Sequence, residues 1–455
     1  MNIDTSIFKA YDIRGIYPTQ INGELIYKIA QAYADFLKPK TVVVGRDMRL
    51  SGEEFRDQII KALTDAGVNV IDIGLVSTDQ LYFAAATLKV DGGIQITASH
   101  NPKEYAGMKM VREKGMPISG DSGIYEIRDM VVSGKPLRGP LGFQSGKKGT
   151  IQTKEIFEDY YTYVLKHFEY QNFKPLTVVA NTNFGMANPA VEYLQKVLPV
   201  KFLKIVNNTI DGSFPKGRPD PLVSENRGET IEEIKTLKPD LGVAWDADAD
   251  RCFFFDEQGK FVTPAYINAL LSKYYIEKFS GGKVIHDTRV VRVIQNAVKQ
   301  AGGESVMNKA GHSFIKERMI KEQAVFGSET SGHYYFKDNF YLDNGLFPFL
   351  AVLDILSKEN KTFSEVLKPM REKFFVSEEI NFKVHSENIL EELKLNFKDA
   401  EVDSTDGYSF NYPLWRFNVR KSNTENLLRI NIEADSEKLL EEKTKEVSML
   451  IEKLG

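Results

Sequence analysis

The stretch Ile94-Gln95-Ile96-Thr97-Ala98-Ser99-His100-Asn101-Pro102 decides how the first third of this chain is read. Ile94-Gln95-Ile96 is a strand running into a polar loop. Upstream, Thr41-Val42-Val43-Val44 reads as a buried strand ending at Gly45. Glu53 to Ala66 reads as a helix with Phe55, Ile59 and Leu63 on one face and Gly67 as its stop. Asn69 to Ile73 is a second strand. Thr78 to Lys89 is a second helix, with Ser77 or Thr78 as its N-cap. Strands alternating with helices imply parallel pairing in an α/β sheet, and such sheets bind ligands at the carboxyl ends of their strands. Ser99 falls at such an end.

The rhythm continues outward. Thr177 to Ala180, Phe202 to Val206 and Leu241 to Trp245 read as strands, with helices over Asn188 to Val197 and Glu229 to Leu237. A third set follows: a helix from Ala265 to Lys278, a strand at Val284-Ile285-His286, a helix from Val290 to Ala301, a turn around Glu329 and a helix from Gly345 to Ser357. Leu137 to Gly149, rich in glycine, looks like a linker or surface hairpin. From about Pro369, strand-like alternation at Ile380 to Val384, Trp415 to Val419 and Leu428 to Ile432, closed by an amphipathic helix from Ser436 to Leu454, suggests an α+β domain. The spans expected are 1–149, 150–254, 255–368 and 369–455, since 455 residues exceed one ordinary core.

Composition is that of a soluble globular protein, 42% hydrophobic and 27% charged. A net charge of -4 argues against a nucleic-acid binder. The single cysteine, Cys252, excludes an intramolecular disulfide and a cysteine-built metal site, and reads as a buried strand residue beside Phe253-Phe254-Phe255. No apolar stretch approaches the ~20 residues that span a membrane, and the N-terminus lacks a signal-peptide pattern. The expected setting is cytoplasmic, with no membrane or nucleic-acid partner.

Asp246, Asp248 and Asp250 alternate with alanines at the end of the Leu241 to Trp245 strand. In extended chain they would point the same way and repel one another, so the cluster wants a cation, and all-oxygen ligation suits Mg²⁺. An EF-hand register is opposed by Arg251, where that loop requires Gly, and by the strand-like Cys252 to Phe255. A solvated acidic turn is the plain alternative. Ser99 alone reads as a turn residue; there is no G-x-S-x-G elbow, and His100, adjacent in sequence, is poorly placed to act as its base. Context changes this, because Lys109 lies downstream to offset phosphate charge, and a phosphorylated serine would offer oxygens to a metal held by the three aspartates. Arg420-Lys421-Ser422-Asn423-Thr424-Glu425, between two strands, offers a set of hydrogen-bond donors for phosphate or is an ordinary polar hairpin.

Taken together with Phe8-Lys9-Ala10-Tyr11-Asp12-Ile13-Arg14-Gly15, Asp211-Gly212-Ser213-Phe214-Pro215 and Glu329-Thr330-Ser331-Gly332-His333, these motifs resemble, in order and spacing, the α-D-phosphohexomutases, closest to the phosphomannomutase/phosphoglucomutase branch. The resemblance implies three α/β domains with mixed sheets plus a C-terminal α+β domain around a central cleft. It implies a mutase interconverting hexose 1-phosphate and hexose 6-phosphate, of mannose or glucose, through a phosphoserine and a hexose 1,6-bisphosphate. It assigns the phosphoserine to Ser99 and Mg²⁺ ligation to Ser99, Asp246, Asp248 and Asp250. Tyr11, Arg14, His100, Lys109 and Arg251 fall around the transferred phosphoryl. Glu329, Ser331 and His333 match the sugar readers, with Arg289 and His312 nearby, and Arg420, Ser422, Asn423 and Thr424 match the holder of the other phosphate. The last domain is expected to move, and a monomer or dimer is expected. A phosphoglucosamine mutase, disfavoured by Asn423, and a silent phosphosugar-binding protein are the alternatives. The chain departs from the family pattern at Ala106, at Ala247 in place of the usual Gly, at the loop Asn181 to Gly185, and at Asn426.

Overall fold

The computed structural model describes residues 3–134, 148–384, 386, 388–421 and 427–455. It divides into two compact units, one of residues 1–260 with 338–358, the other of residues 261–337 with 359–455.

The first unit opens with β1 (Ile13–Ile16), α1 (Gly23–Leu37), β2 (Thr41–Arg46), α2 (Gly52–Asp65), β3 (Asn69–Leu75), α3 (Thr78–Thr87), β4 (Gly92–Ile96) and β5 (Tyr105–Arg112). With β6 (Ile151–Thr153) they form one sheet in the order β1-β5-β4-β2-β3-β6. The β2, β3, β4 and β6 pairings are parallel, as strand–helix alternation requires. β5 runs antiparallel to both β4 and β1, so the sheet is mixed. The Ser99 loop joins β4 to β5 at the carboxyl end of β4.

Gly107 makes the β1–β5 contact possible. A Cβ there would lie 2.0 Å from the Ile13 carbonyl oxygen, so only glycine lets β1 approach this closely. The helix over Gly23–Leu37 escaped the sequence reading, although Leu25, Ile26, Ile29, Ala30 and Tyr33 follow helical spacing and are buried. Asn22 caps it by accepting from the Leu25 amide at 3.1 Å.

A second sheet in this unit contains β7 (Thr177–Asn181), β8 (Lys201–Val206), β9 (Leu241–Trp245) and β10 (Cys252–Phe255). β7 pairs in parallel with β8 and β9, and β9 turns back antiparallel into β10. Every residue of β9 and β10 is buried, which accounts for the unbroken apolar run and for buried Cys252.

In the second unit, Lys283–His286 pairs in parallel with Glu304–Met307 and Phe326–Ser328, and Phe326–Ser328 pairs antiparallel with Tyr334–Phe336. The C-terminal part is an antiparallel run, Glu401–Asp403, Tyr408–Asn411, Trp415–Lys421 and Leu428–Ala434. The helix Glu437–Leu454 buries Val447 and Ile451 in the same core as Phe417, Ile430 and Ile432. Ser436 caps it, accepting from the Leu439 amide at 3.2 Å. Most of the suggested linker, and Ser422, Asn423 and Thr424, lie outside the described residues. Among the described residues no helix is long and apolar enough to cross a membrane.

If backbone approach at Gly107 governs the β1–β5 pair, Gly107→Ala will lower the thermal midpoint by the equivalent of at least ~2 kcal/mol, because backbone cannot yield as a side chain does. Gly228→Ala, at an open site with no atom within 4 Å, serves as the control and will leave the midpoint unchanged or slightly raised, read by circular dichroism.

Candidate active site

In the first unit, the ends of β4 and β9 bring Ser99 and the acidic run together. Ser99 Oγ is 3.1 Å from Asp246 Oδ2. Ser99 itself is held in the left-handed region, φ 48°, uncommon for a residue with a Cβ, and its amide donates to Thr97 Oγ1 at 2.8 Å. Its hydroxyl also lies 3.0 Å from His100 Nδ1, and His100 Nε2 is 3.9 Å from Asp220 Oδ2. The sequence expectation that His100 is badly placed as a base is therefore wrong. The left-handed turn at Ser99 swings the neighbouring ring back onto its own hydroxyl, which adjacency along an extended chain would not do.

A second expectation also changes. Residues 246–251 are not an extended strand end. The Ala249 amide donates to the Asp246 carbonyl at 3.2 Å, and Ala249 sits at φ 62°. The three carboxylates converge through this tight turn, not through strand alternation, and ligand oxygens of Asp246, Asp248 and Asp250 lie within 4.8 Å of one another. The conformational demand falls on Ala249, at a cost of about 1 kcal/mol, and not on Ala247. Ala247 meets a different constraint. Its carbonyl accepts from the Met186 amide at 2.7 Å, and a Cβ on Gly185 would come within 2.5 Å of that same oxygen. The unusual loop Asn181 to Gly185, with Asn183 and Phe184 both at positive φ, thus braces the acidic turn, and Asn183 Nδ2 donates to the Trp245 carbonyl at 2.6 Å.

Charge decides the rest. All three aspartates are fully buried. Lys109, on β5, donates to Asp248 Oδ2 at 2.8 Å and Asp250 Oδ2 at 2.5 Å. Arg251 Nε lies 3.6 Å from Asp246 Oδ2. Thr78, at the start of α3, donates its hydroxyl to Asp248 Oδ2 at 2.6 Å. Burial would raise Asp248, but Lys109 and the Thr78 hydroxyl hold it well below the usual carboxylate range. Burial and then Asp248 push Asp250 up to about 6. Burial, with Asp248 and Asp250 beside it, drives Asp246 well above that range. Burial alone would lower Lys109, yet Asp248 and Asp250 keep it a firmly charged ammonium. With all three carboxylates ionised, the two cations in contact with them would leave one negative charge for a bound cation to balance. Asp248 Oδ1 is buried with no hydrogen-bond partner among the described residues. An orphaned carboxylate oxygen in an over-acidic, all-oxygen turn fits a hard divalent cation.

Arg14, on β1, pairs with Asp12 and donates to Asn101 Oδ1 at 2.6 Å, so it steadies the loop beyond Ser99. Tyr11 is half-buried in the turn before β1. The sequence assigns no site role to Thr78, Thr97, Asp220 or Asn101; Thr78, Asp220 and Asn101 act through contacts made only in three dimensions.

The second unit gathers another set. Arg289 is bound by Asp287 through Nε at 2.9 Å and through Nη2, and Arg289 Nη2 also lies 3.5 Å from Glu329 Oε2. Glu329 further accepts from Tyr335 Oη at 2.6 Å and the Gly311 amide at 3.0 Å. Burial raises Glu329, against the pull of Arg289. Ser331 Oγ and His333 Nδ1 are 3.0 Å apart, and His312, at the start of the helix His312–Glu322, lies 3.5 Å from Lys316 Nζ through Nδ1. Arg420 reaches Glu379 at 3.4 Å, and Arg429 reaches the same carboxylate at 3.2 Å. Burial and then the charge of Arg289 lower Arg420, against the pull of Glu379. Asp287, Tyr335 and Glu379 are the partners the sequence reading missed.

A buried tie holds this unit's two parts. Arg416 pairs with Glu433 at 2.6 Å and donates to the Thr288 and Arg289 carbonyls at 2.9 and 3.2 Å, while Glu433 accepts from the Val291 and Arg292 amides. Movement of the C-terminal sheet away from the Arg289 loop would have to break these charge-assisted bonds.

Known proteins share this arrangement of sequence and fold. The chain matches four phosphoglucomutase/phosphomannomutase domains in order: alpha/beta/alpha domain I over residues 5–135, domain II over 158–259, domain III over 263–374 and the C-terminal domain over 379–448. A phosphomannomutase of Escherichia coli K12 is 41% identical, with 98% of each chain aligned. One of Salmonella montevideo is 40% identical over the same shares. The solved structure of a phosphoglucomutase/phosphomannomutase family protein from Burkholderia thailandensis matches with TM-score 0.89 at 30% identity, covering 99% of this chain and 98% of that one.

A cation at one hundred times its Kd adds about 2.7 kcal/mol to a folded state that alone binds it. Saturating Mg²⁺ will therefore raise the thermal midpoint of the wild-type protein by a few degrees, and Asp248→Asn will abolish most of that rise. Equal shifts in both proteins would place the cation elsewhere.

Proposed function

The chain belongs to the phosphoglucomutase/phosphomannomutase family, and from that premise we propose that it interconverts the 1- and 6-phosphates of mannose, glucose or both through a phosphoserine at Ser99 and a hexose 1,6-bisphosphate. The observation that carries this reading is Ser99 Oγ poised at 3.1 Å from a buried aspartate turn whose charge is set by Lys109. In phosphoryl transfer the protein positions the reactants and balances charge, and this site supplies both.

Phosphorylated Ser99 transfers its phosphoryl to the free hydroxyl of a hexose monophosphate. The Ser99 Oγ–P bond breaks, an O–P bond to the sugar forms, the sugar hydroxyl releases its proton to water and Ser99 Oγ gains one from His100. His100 Nδ1, at 3.0 Å, is the group that hands this proton over and takes it back when Ser99 is phosphorylated again. Lys109 remains charged throughout, so we assign it electrostatic stabilisation and not proton transfer. Arg251, Arg14 and Tyr11 complete the anionic pocket's surroundings. Asp246, Asp248, Asp250 and an oxygen on Ser99 would hold Mg²⁺, which when bound supplies positive charge to the phosphoryl oxygens.

The second unit is assigned recognition. Glu329, Ser331 and His333 would read the sugar hydroxyls, with Arg289 and His312 beside them, and Arg420 with the Ser422 to Thr424 loop would hold the phosphate not being transferred. The two buried guanidiniums of this unit, Arg289 and Arg420, support this, since Arg binds phosphate bidentately. The bisphosphate then serves as intermediate and as activator of unphosphorylated protein. The four spans 1–149, 150–254, 255–368 and 369–455, a cytoplasmic setting and a monomer or dimer belong to the same proposal.

A coupled assay with mannose 1-phosphate, glucose 1-phosphate and glucosamine 1-phosphate tests it. We expect the mannose or glucose ester to be turned over with kcat/KM at least tenfold above the glucosamine ester, and a trace of hexose 1,6-bisphosphate to remove any lag. Preference for glucosamine 1-phosphate, or no turnover of any, would refute the reading.

A further inference from the structure

The motif Asp211-Gly212-Ser213-Phe214-Pro215 has no part in the mechanism above, and neither has the buried Arg49. The two meet behind the Ser99 loop. Arg49 lies in the turn between β2 and α2 and is 3% exposed. Its guanidinium makes no contact with the three aspartates through hydrogen bonds. Instead it donates to four main-chain carbonyls: through Nη2 to Ser99 at 2.6 Å and Asn101 at 2.7 Å, through Nη1 to Pro102 at 3.0 Å and Tyr105 at 2.7 Å. Asp47 orients it, accepting from the Arg49 amide at 2.9 Å and lying 3.6 Å from Nε.

The Asp211 to Pro215 motif closes over this cation. The Phe214 ring lies 5.3 Å from Arg49 Cζ, and Phe214 is buried at φ 44°. Gly212 allows the approach, because a Cβ there would sit 2.1 Å from the Met48 carbonyl oxygen. An aromatic face over a desolvated guanidinium stabilises it where water has been excluded.

Four converging carbonyls repel one another and need a planar fork of donors. A lysine, with one compact head, cannot span them. The loop they belong to carries Ser99 in a left-handed conformation that an unsupported serine would leave. We infer that Arg49 is a positioning residue for the phosphoryl transfer: its fork gathers the carbonyls of Ser99, Asn101, Pro102 and Tyr105, and so keeps Ser99 Oγ aimed between Asp246 and His100, with Phe214 as the cap that keeps the fork in place. This inference rests on Ser99 being the phosphoryl carrier.

The test compares wild type, Arg49→Lys, Arg49→Ala and Phe214→Leu, each with saturating Mg²⁺ and hexose 1,6-bisphosphate. A misaimed nucleophile costs kcat and not substrate binding, by about 10- to 100-fold for a displacement near 1 Å. Arg49→Lys should lose that much kcat with KM within threefold of wild type, and the rate of Ser99 phosphorylation by the bisphosphate, followed by intact mass, should fall in step. Arg49→Ala should regain at least tenfold in kcat when guanidinium is added at low millimolar concentration, and Phe214→Leu should lose severalfold in kcat. Rescue separates positioning from folding, since an unfolded variant cannot be restored by guanidinium. Arg49→Lys with wild-type kcat, or a loss in Arg49→Ala that guanidinium does not restore together with an unaffected Phe214→Leu, would overturn the inference. If wild type neither turns over hexose phosphates nor accepts phosphate on Ser99, it is the functional reading that fails.

Discussion

The acidic turn of the first unit depends on one ammonium. Lys109 stands between Asp248 and Asp250 in a fully buried site where three carboxylates share one turn. Without it, burial and mutual repulsion would drive those groups to take up protons, and a protonated cluster would neither hold a cation nor stabilise a phosphoryl group. The position of Lys109 follows from sheet geometry. It sits on β5 opposite Gln95 of β4, and β5 is flanked by β1 at a distance only Gly107 permits. Strand pairing in one sheet thus sets the charge of a turn that ends a strand in another.

The Ser99 loop obeys a different constraint. Its peptide carbonyls are gathered on one side by Arg49, its Asn101 side chain is held by Arg14, and its Ser99 amide by Thr97. A serine kept in an uncommon backbone conformation by several independent bonds is pre-organised, as the role proposed for Ser99 requires. The second unit solves its own charge problem in the reverse sense. There Asp287, Glu329 and Glu379 pair with the guanidiniums of Arg289, Arg420 and Arg429 and hold those side chains in place.

Much of this was legible in the sequence. The strands ending at Ile96, Trp245 and His286 fall where their apolar runs predict, and the order of the motifs singles out Ser99, the three aspartates and Lys109 before any contact is known. What escaped is set by backbone conformation and by distant partners. The acidic run converges because Ala249 turns left-handed, not because alternate residues share a strand face. His100 reaches Ser99 Oγ because Ser99 does the same. β5 breaks the parallel rule because the short Ser99 loop returns it antiparallel beside β4, and nothing in the local sequence near Arg49 says that its partners are carbonyls some fifty residues away. Ser422, Asn423 and Thr424 lie outside the described residues, and the phosphate-holding role proposed for them rests on sequence.

The central claim is that Ser99 carries the phosphoryl group. Intact-mass analysis with fragmentation, on protein treated with hexose 1,6-bisphosphate and then challenged with excess hexose monophosphate, tests it most directly. The account predicts one phosphoryl adduct on Ser99, discharged by the monophosphate and never formed in Ser99→Ala. An adduct on another residue, or full mutase turnover by Ser99→Ala, would contradict it.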